Sequence, residues 1–212
     1  MKRAVSAGFT LIELLVVIGI LSVLMVVLIP AVLEGRATAD IAADRANLNW
    51  HASMWQIYQG KKGLPMPPGG GCKFVLAPWV NGVCQKTEEN RDRFFTPGLE
   101  RLDVRYGELL EIPVDEIWTS FEEITSADTQ YAGLRAPFYR NLRDGNSAVI
   151  SNDNEFGPAF EDGSINVLMA NWATRNLQPA GQLKEYWDET DPNFYIEVGP
   201  NSNVPLLQPL GY

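Results

Sequence analysis

The chain opens on an apolar run that breaks off sharply. Between Phe9 and Leu33 lie 25 residues whose only ionisable side chain is Glu13, and roughly 20 such residues span a bilayer as a helix. A membrane helix is therefore predicted over 9–33. Polar residues then return with helical spacing. At about 100° per residue, Ile41, Leu48, Ala52 and Trp55 fall on one side, and Ala43, Ala46, Trp50, Met54 and Ile57 fall on another. A helix resting on a sheet needs one apolar stripe, so two stripes predict that one packs on the chain's own domain and the other meets neighbouring helices. Ala37 to Tyr58 contains no proline, and the helix is predicted to continue over 34–58, giving roughly 50 residues and about 75 Å in all. Pro30 removes one backbone hydrogen bond within it and is expected to kink it. The alternative is that Pro30, aided by Gly35, ends the membrane helix.

After Tyr58 the pattern changes to the Pro/Gly stretch Gly60 to Gly71, which stops the helix and starts a globular part over 59–212. Ala148 to Ser151 and Ile165 to Met169 are apolar, β-branched runs bounded by Asp-Gly pairs, and predict adjacent antiparallel strands. Pro113 to Thr125 reads as a short helix or turn followed by a strand, and Thr129 to Leu134 as a strand. Phe121, Ile124, Tyr131 and Leu134 are core candidates. The tail from Asn201 to Tyr212 is expected to run irregularly over the surface. These elements predict an α+β fold, a long N-terminal helix packed on an antiparallel sheet.

Lys2 and Arg3 precede the apolar run, which places the N-terminus in the cytoplasm and the globular part outside it. The run is too long for an ordinary secretory signal and lacks a small-x-small ending. Its first residues, Gly8-Phe9-Thr10-Leu11-Ile12-Glu13-Leu14-Leu15, resemble the class III signal of type IV prepilins and type II secretion pseudopilins. The resemblance implies residues 1–8 as a leader, cleavage after Gly8 by a prepilin peptidase, and methylation of the new amine of Phe9. It also implies a bacterial inner-membrane anchor, a periplasmic or extracellular domain, and partners that are copies of itself, homologous pilins and an inner-membrane assembly machinery. Pilins of this kind commonly carry a proline where Pro30 stands.

The residues give that motif a physical rationale. A carboxylate in hydrocarbon costs roughly 2.5–3.5 kcal/mol on insertion scales, so Glu13 needs a partner. Cleavage would supply the amine of Phe9, either four residues back in the same chain or on a neighbouring helix. Only the second pairing sets the register between subunits, the role the resemblance implies. The alternative is a Glu13 that reaches the headgroups unaided.

A second, partial resemblance lies further on. The stretches 142–155 and 161–175 are similar to the end of a large group of bacterial prepilin-like proteins, whose signature is a His, nine residues, then Asp-Gly. Here Glu161 stands in the place of the His and Asn171-Trp172 in that of Asp-Gly, while Gly163, Asn166, Val167, Leu168 and Ala170 keep the pattern. Trp172 does not take positive φ cheaply, so this turn is expected to differ.

Composition narrows the chemistry. The net charge of −9 argues against a phosphate-binding surface, and nucleic acid is not expected as a partner. Six Trp provide apolar area for a folded domain. Cys72 and Cys84 in an exported domain favour a disulfide closing a loop; the Asn81-Gly82 pair, which alone would signal a hairpin, becomes a turn inside that loop. His51 is the only histidine, so neither a triad nor a zinc site can be assembled, and it is read as a solvated or interface helix residue. Adjacent acids such as Glu88-Glu89 and Glu122-Glu123 read as a solvated face rather than a catalytic pair, and no catalytic residues or enzyme activity are expected. Asp188, Glu189, Asp191 and Asn193 cluster oxygens in one turn, which admits calcium but lacks the EF-hand spacing; a plain acidic turn is the favoured reading, with no cofactor. The functional expectation is a filament or pseudopilus subunit. The alternative is a membrane-tethered module whose domain recognises a polymer or surface.

Overall fold

The computed structural model describes residues 10–98, 103–153, 157–188, 190, 191 and 193–212. The chain divides into two units, residues 1–39 and 40–212. One helix, α1 (Leu11–Gly60), contributes to both.

In the first unit, α1 begins with a capping box that joins Thr10 and Glu13. Glu13 N donates to Thr10 Oγ1 (3.3 Å), and Glu13 Oε2 accepts from Thr10 N (2.9 Å) and Thr10 Oγ1 (2.7 Å). Leu11 to Leu33 are all exposed, and this part of α1 is long and apolar enough to cross a membrane. Pro30 lies inside the helix and does not end it.

In the second unit, α1 buries Asp44, Leu48, His51, Ala52, Trp55 and Tyr58. The spacing of four, three, one, three and three residues keeps them on one face. The sheet has five strands, β1 (Tyr131–Leu134), β2 (Ala148–Asn152), β3 (Ile165–Met169), β4 (Thr174–Leu177) and β5 (Leu210–Gly211), in the order β4-β3-β2-β1-β5 with every pairing antiparallel. β2 and β3 are buried at every position, so both faces of the sheet centre are covered. The α+β prediction and the β2–β3 pair stand as read.

Three local expectations are overturned. The segment expected to form a disulfide-closed loop is instead a helix, α2 (Cys72–Val80), buried almost throughout. Gly71, at φ 64° and against the Tyr212 carbonyl, turns the chain into it, and its own carbonyl accepts from Phe74 N and Val75 N. Asn81-Gly82, expected as a turn inside that loop, is the turn that ends this helix. Gly82 is left-handed at φ 60°, its N–H reaches Trp79 O, and Val83 N reaches Pro78 O, which together make a Schellman cap.

Pro113 to Thr125 contains no strand; the segment is a series of turns that tucks Ile117, Trp118 and Ile124 into the core, with Ile117 O accepting from Trp79 Nε1 at 3.1 Å. The C-terminal tail is not a surface wrap either. It buries Val204, Leu207 and Leu210 and returns as β5 beside β1.

Two short helices complete the unit. α3 (Glu88–Asp92) is capped by Thr87 and α4 (Val104–Leu110) by Asp103, each through a side-chain oxygen accepting an N–H of the first turn. A 3₁₀ helix, Ala136–Arg143, connects β1 to β2.

Candidate assembly site on the first helix

Gly8 and Phe9, the predicted processing residues, lie outside the described residues, as does Glu189. Glu13 is described. Its carboxylate is already held by Thr10 of its own chain, so the helix start supplies a local partner that the sequence reading did not foresee. The Thr-x-x-Glu spacing was the signal for it.

On the stretch of α1 within the second unit the two predicted stripes differ in burial, the second only in part. Leu48, Ala52 and Trp55 are buried against the domain, whereas Ala43, Ala46 and Ile57 are exposed. Trp50 and Met54 are half-buried. The Trp50 ring meets His51 and Phe94 edge-on, with centroids at 5.1 and 5.6 Å, and the Arg93 guanidinium lies over it at 5.7 Å. Trp50 thus belongs in part to the domain.

The domain-facing stripe also carries two polar residues. Asp44 is fully buried and accepts from three neutral groups: Tyr131 Oη (2.5 Å) and Asn152 Nδ2 (2.9 Å) at Oδ1, and Asn166 Nδ2 (2.8 Å) at Oδ2. These partners come from β1, β2 and β3. The amide of Asn166 also donates to Ile41 O (3.1 Å), its N–H to Asn152 Oδ1 (2.9 Å), and its Oδ1 accepts from Asn176 of β4 (2.9 Å). One carboxylate therefore ties α1 across the sheet. Burial pushes the Asp44 carboxyl up to about 6, against the three hydrogen bonds, which pull it down. The same burial, followed by the neighbouring Asp44, holds the Tyr131 phenol well above its usual range.

His51 is fully buried, not solvated. Its Nε2 donates to Arg93 O at 3.0 Å, its Nδ1 has no hydrogen-bond partner among the described residues, and burial lowers the imidazole to about 4. The imidazole packs edge-on against Phe94 and Tyr131, at 5.0 and 5.3 Å. Asp44 and His51 were legible only as polar residues at core-facing positions, seven apart on the buried face.

The predicted disulfide is not formed. Cys72 and Cys84 are both free and buried. Cys72 starts α2, which is about 12 Å long, and Cys84 follows the cap at its other end. Burial raises both thiols, Cys84 to about 11.

The acidic turn is closed by local bonds. Asp188 Oδ1 accepts from Thr190 N (2.9 Å) and Oγ1 (2.6 Å), and Asp191 Oδ1 from Asn193 N (2.9 Å). Among the described residues no group of three or more His, Cys, Asp or Glu side chains is placed to hold a metal ion.

The β3–β4 turn keeps a form that a glycine would ordinarily serve. Trp172 N donates to Met169 O (2.8 Å) and Met169 N to Ala173 O (3.0 Å), closing a three-residue loop whose last residue is left-handed. That residue is Trp172, at φ 65°. The expectation that tryptophan would avoid this conformation is overturned; its half-buried indole packs on the core and offsets a backbone cost of about 1–2 kcal/mol.

Comparison with curated proteins and with solved structures returns no match. Residues 3–29 match the family described as the prokaryotic N-terminal methylation motif, the class III signal peptide of type IV pilins. The chain thus carries the prepilin-type methylation motif at the head of a long apolar helix, followed by an antiparallel α+β domain, an arrangement that indicates a type IV pilin- or pseudopilin-like precursor.

Proposed function

We propose that the chain is a structural subunit of a type IV pilus-like filament or a type II secretion pseudopilus. A prepilin peptidase cleaves it after Gly8, and an inner-membrane machinery assembles the mature chain through α1, with the domain on the periplasmic side or carried outward. The observation that carries this reading is the methylation motif on a helix whose first 23 described apolar-run residues, Leu11 to Leu33, are all exposed and whose exported stretch keeps a second exposed stripe. Such a helix has apolar surface to bury twice: in lipid before assembly and against other helices after it.

Glu13 supports the same reading. The Thr10 bonds satisfy it within one chain, and the amine of Phe9 of a neighbour is the partner that would draw it into a defined register. Cleavage also removes Lys2 and Arg3, which takes the net side-chain charge from −9 to −11.

Mass spectrometry of the N-terminus, on chain isolated from its bacterial host, tests the reading. A mature chain beginning at methylated Phe9 is expected. A chain that retains Met1 to Gly8 while residing stably in the membrane would overturn it.

A further inference from the structure

Two oppositely charged faces lie at different heights along the exported stretch of α1. The acidic one is at the Asn47–His51 level. There Asn47 Nδ2 donates to Phe95 O (3.4 Å) and His51 packs on Phe94, so the end of α3 is fixed beside the helix. An open groove of ≈ 310 Å³ runs along it, lined by Asn47, Glu89, Asp92, Arg93, Phe95 and Tyr106, among others. Glu88, which precedes the lining residue Glu89 at the start of α3, is exposed and has no ion partner among the described residues. Glu89 pairs with Arg93 and Asp92 with Arg91, yet their side chains remain 78% and 45% exposed.

The basic face is at the other end. The 3₁₀ helix Ala136–Arg143 sits beside the loop that follows α1, with Tyr139 Oη donating to Pro67 O (2.6 Å), just as Tyr58 Oη of α1 donates to Pro65 O (2.6 Å). Asn47 and Tyr58 are 11 residues apart on α1, about 16 Å along its axis. In a 3₁₀ helix residues three apart share a side, which aligns Arg140 with Arg143. Both are exposed and neither has an ion partner among the described residues. Phe138, Tyr139 and Leu142 pack on the core from the same short helix, and no acid interrupts residues 131–143.

We propose that the Arg140/Arg143 face of one copy seats on the Glu88/Glu89/Asp92 groove of a second copy. The inference rests on the filament reading above and adds the contact that joins consecutive exported domains. Two domains of net negative charge repel, so close approach needs a local face of opposite sign. Because the two faces differ and lie at different heights, the contact is heterologous: each copy offers its basic face onward and its groove backward, and the series does not close.

Cross-linking in the full-length chain, expressed in its host, tests this. A chain carrying both Glu88→Cys and Arg143→Cys, treated with a short bis-maleimide, is expected to give a ladder of trimers and higher species, and each single variant none. Cys72 and Cys84 are buried and stay silent. In parallel, Arg140→Glu/Arg143→Glu is expected to cut sedimentable filament at least tenfold, and adding Glu88→Lys/Glu89→Lys to restore it. Restoration cannot arise from misfolding. Filaments without a ladder, or filaments indifferent to the charge reversal, would overturn this contact and leave the subunit reading intact. Absence of sedimentable filament from the unmodified processed chain would remove both.

Discussion

The Asp44 carboxylate on α1 and the Asn166 amide on β3 meet at 2.8 Å, and neither side chain reaches solvent. A buried charge among neutral donors is a costly way to hold a helix. It is also a specific one, because Tyr131, Asn152 and Asn166 all converge on it from three adjacent strands. Apolar packing of Leu48 and Trp55 would tolerate a slide of α1 along the sheet; three convergent hydrogen bonds do not. In the filament proposed above, such a fixed reference would let the helix carry register from one domain to the next.

Removing the carboxylate should therefore cost more than one hydrogen bond. Asp44→Ala leaves buried donors on Tyr131, Asn152 and Asn166 without an acceptor, at roughly 1–3 kcal/mol per unsatisfied group. A loss on the order of 3–5 kcal/mol is expected, read by urea denaturation of the purified chain in detergent. A loss below about 1 kcal/mol, within the range of an ordinary surface change, would show that the network is not a clamp.

Asp44 and His51 should oppose one another in pH dependence. The Asp44 carboxyl is raised from 3.8 to about 6 in the folded chain, so its stabilising protonation is present below 3.8 and lost as pH rises through 6. The His51 imidazole is lowered from 6.5 to about 4, so its contribution is present above 6.5 and lost as pH falls toward 4. The two slopes largely cancel between pH 4 and 6. His51→Gln is expected to leave a chain whose melting temperature, relative to the unmodified chain, falls as pH rises across that window, and Asp44→Asn one whose melting temperature rises. Parallel profiles for both variants would contradict the burial of either group.

What the sequence concealed has physical causes. The long apolar run, the continuation of α1 and the β2–β3 pair were legible because their apolar patterns are uninterrupted. α2 was hidden because its signals imitate a loop: Gly71 before it, Pro78 within it and Asn81-Gly82 after it all read as turn chemistry until seen as an entry, an interior proline and a Schellman cap. β5 is two residues long and carries no periodicity. The Asp44 network was hidden by counting only apolar residues, although the face formed by 44, 48, 51, 55 and 58 is a cleaner helical stripe with the polar members included. Asn166 had been marked by its place in a motif, but nothing in the strand indicated that its partner would be a carboxylate on the helix.

Trp172 permits a separation of backbone from side-chain effects. Trp172→Ala removes the packing but keeps the cost of φ 65°, whereas Trp172→Gly removes both. The glycine variant is expected to be about 1 kcal/mol more stable than the alanine variant by denaturant titration, despite the greater flexibility of its unfolded chain. An alanine variant as stable as the glycine one would mean that residue 172 leaves the left-handed region when the indole is gone.

The division of labour on α1 is best tested away from Trp50, whose ring contacts His51 and Phe94 and whose replacement would disturb the domain itself. Ala46 is exposed on the same stripe, without a part in those aromatic contacts. Ala46→Glu adds a charge to a surface that water already reaches, so the stability of the chain should change by no more than about 0.5 kcal/mol. In an assembled filament the same charge would sit between apolar helix faces with nothing to neutralise it, a far larger penalty. Filament recovered by sedimentation should therefore fall at least tenfold while denaturation of the detergent-purified chain is unchanged. Undiminished assembly would place the helix contacts elsewhere on α1, and a loss of folding equal to the loss of filament would show that this stripe belongs to the domain after all.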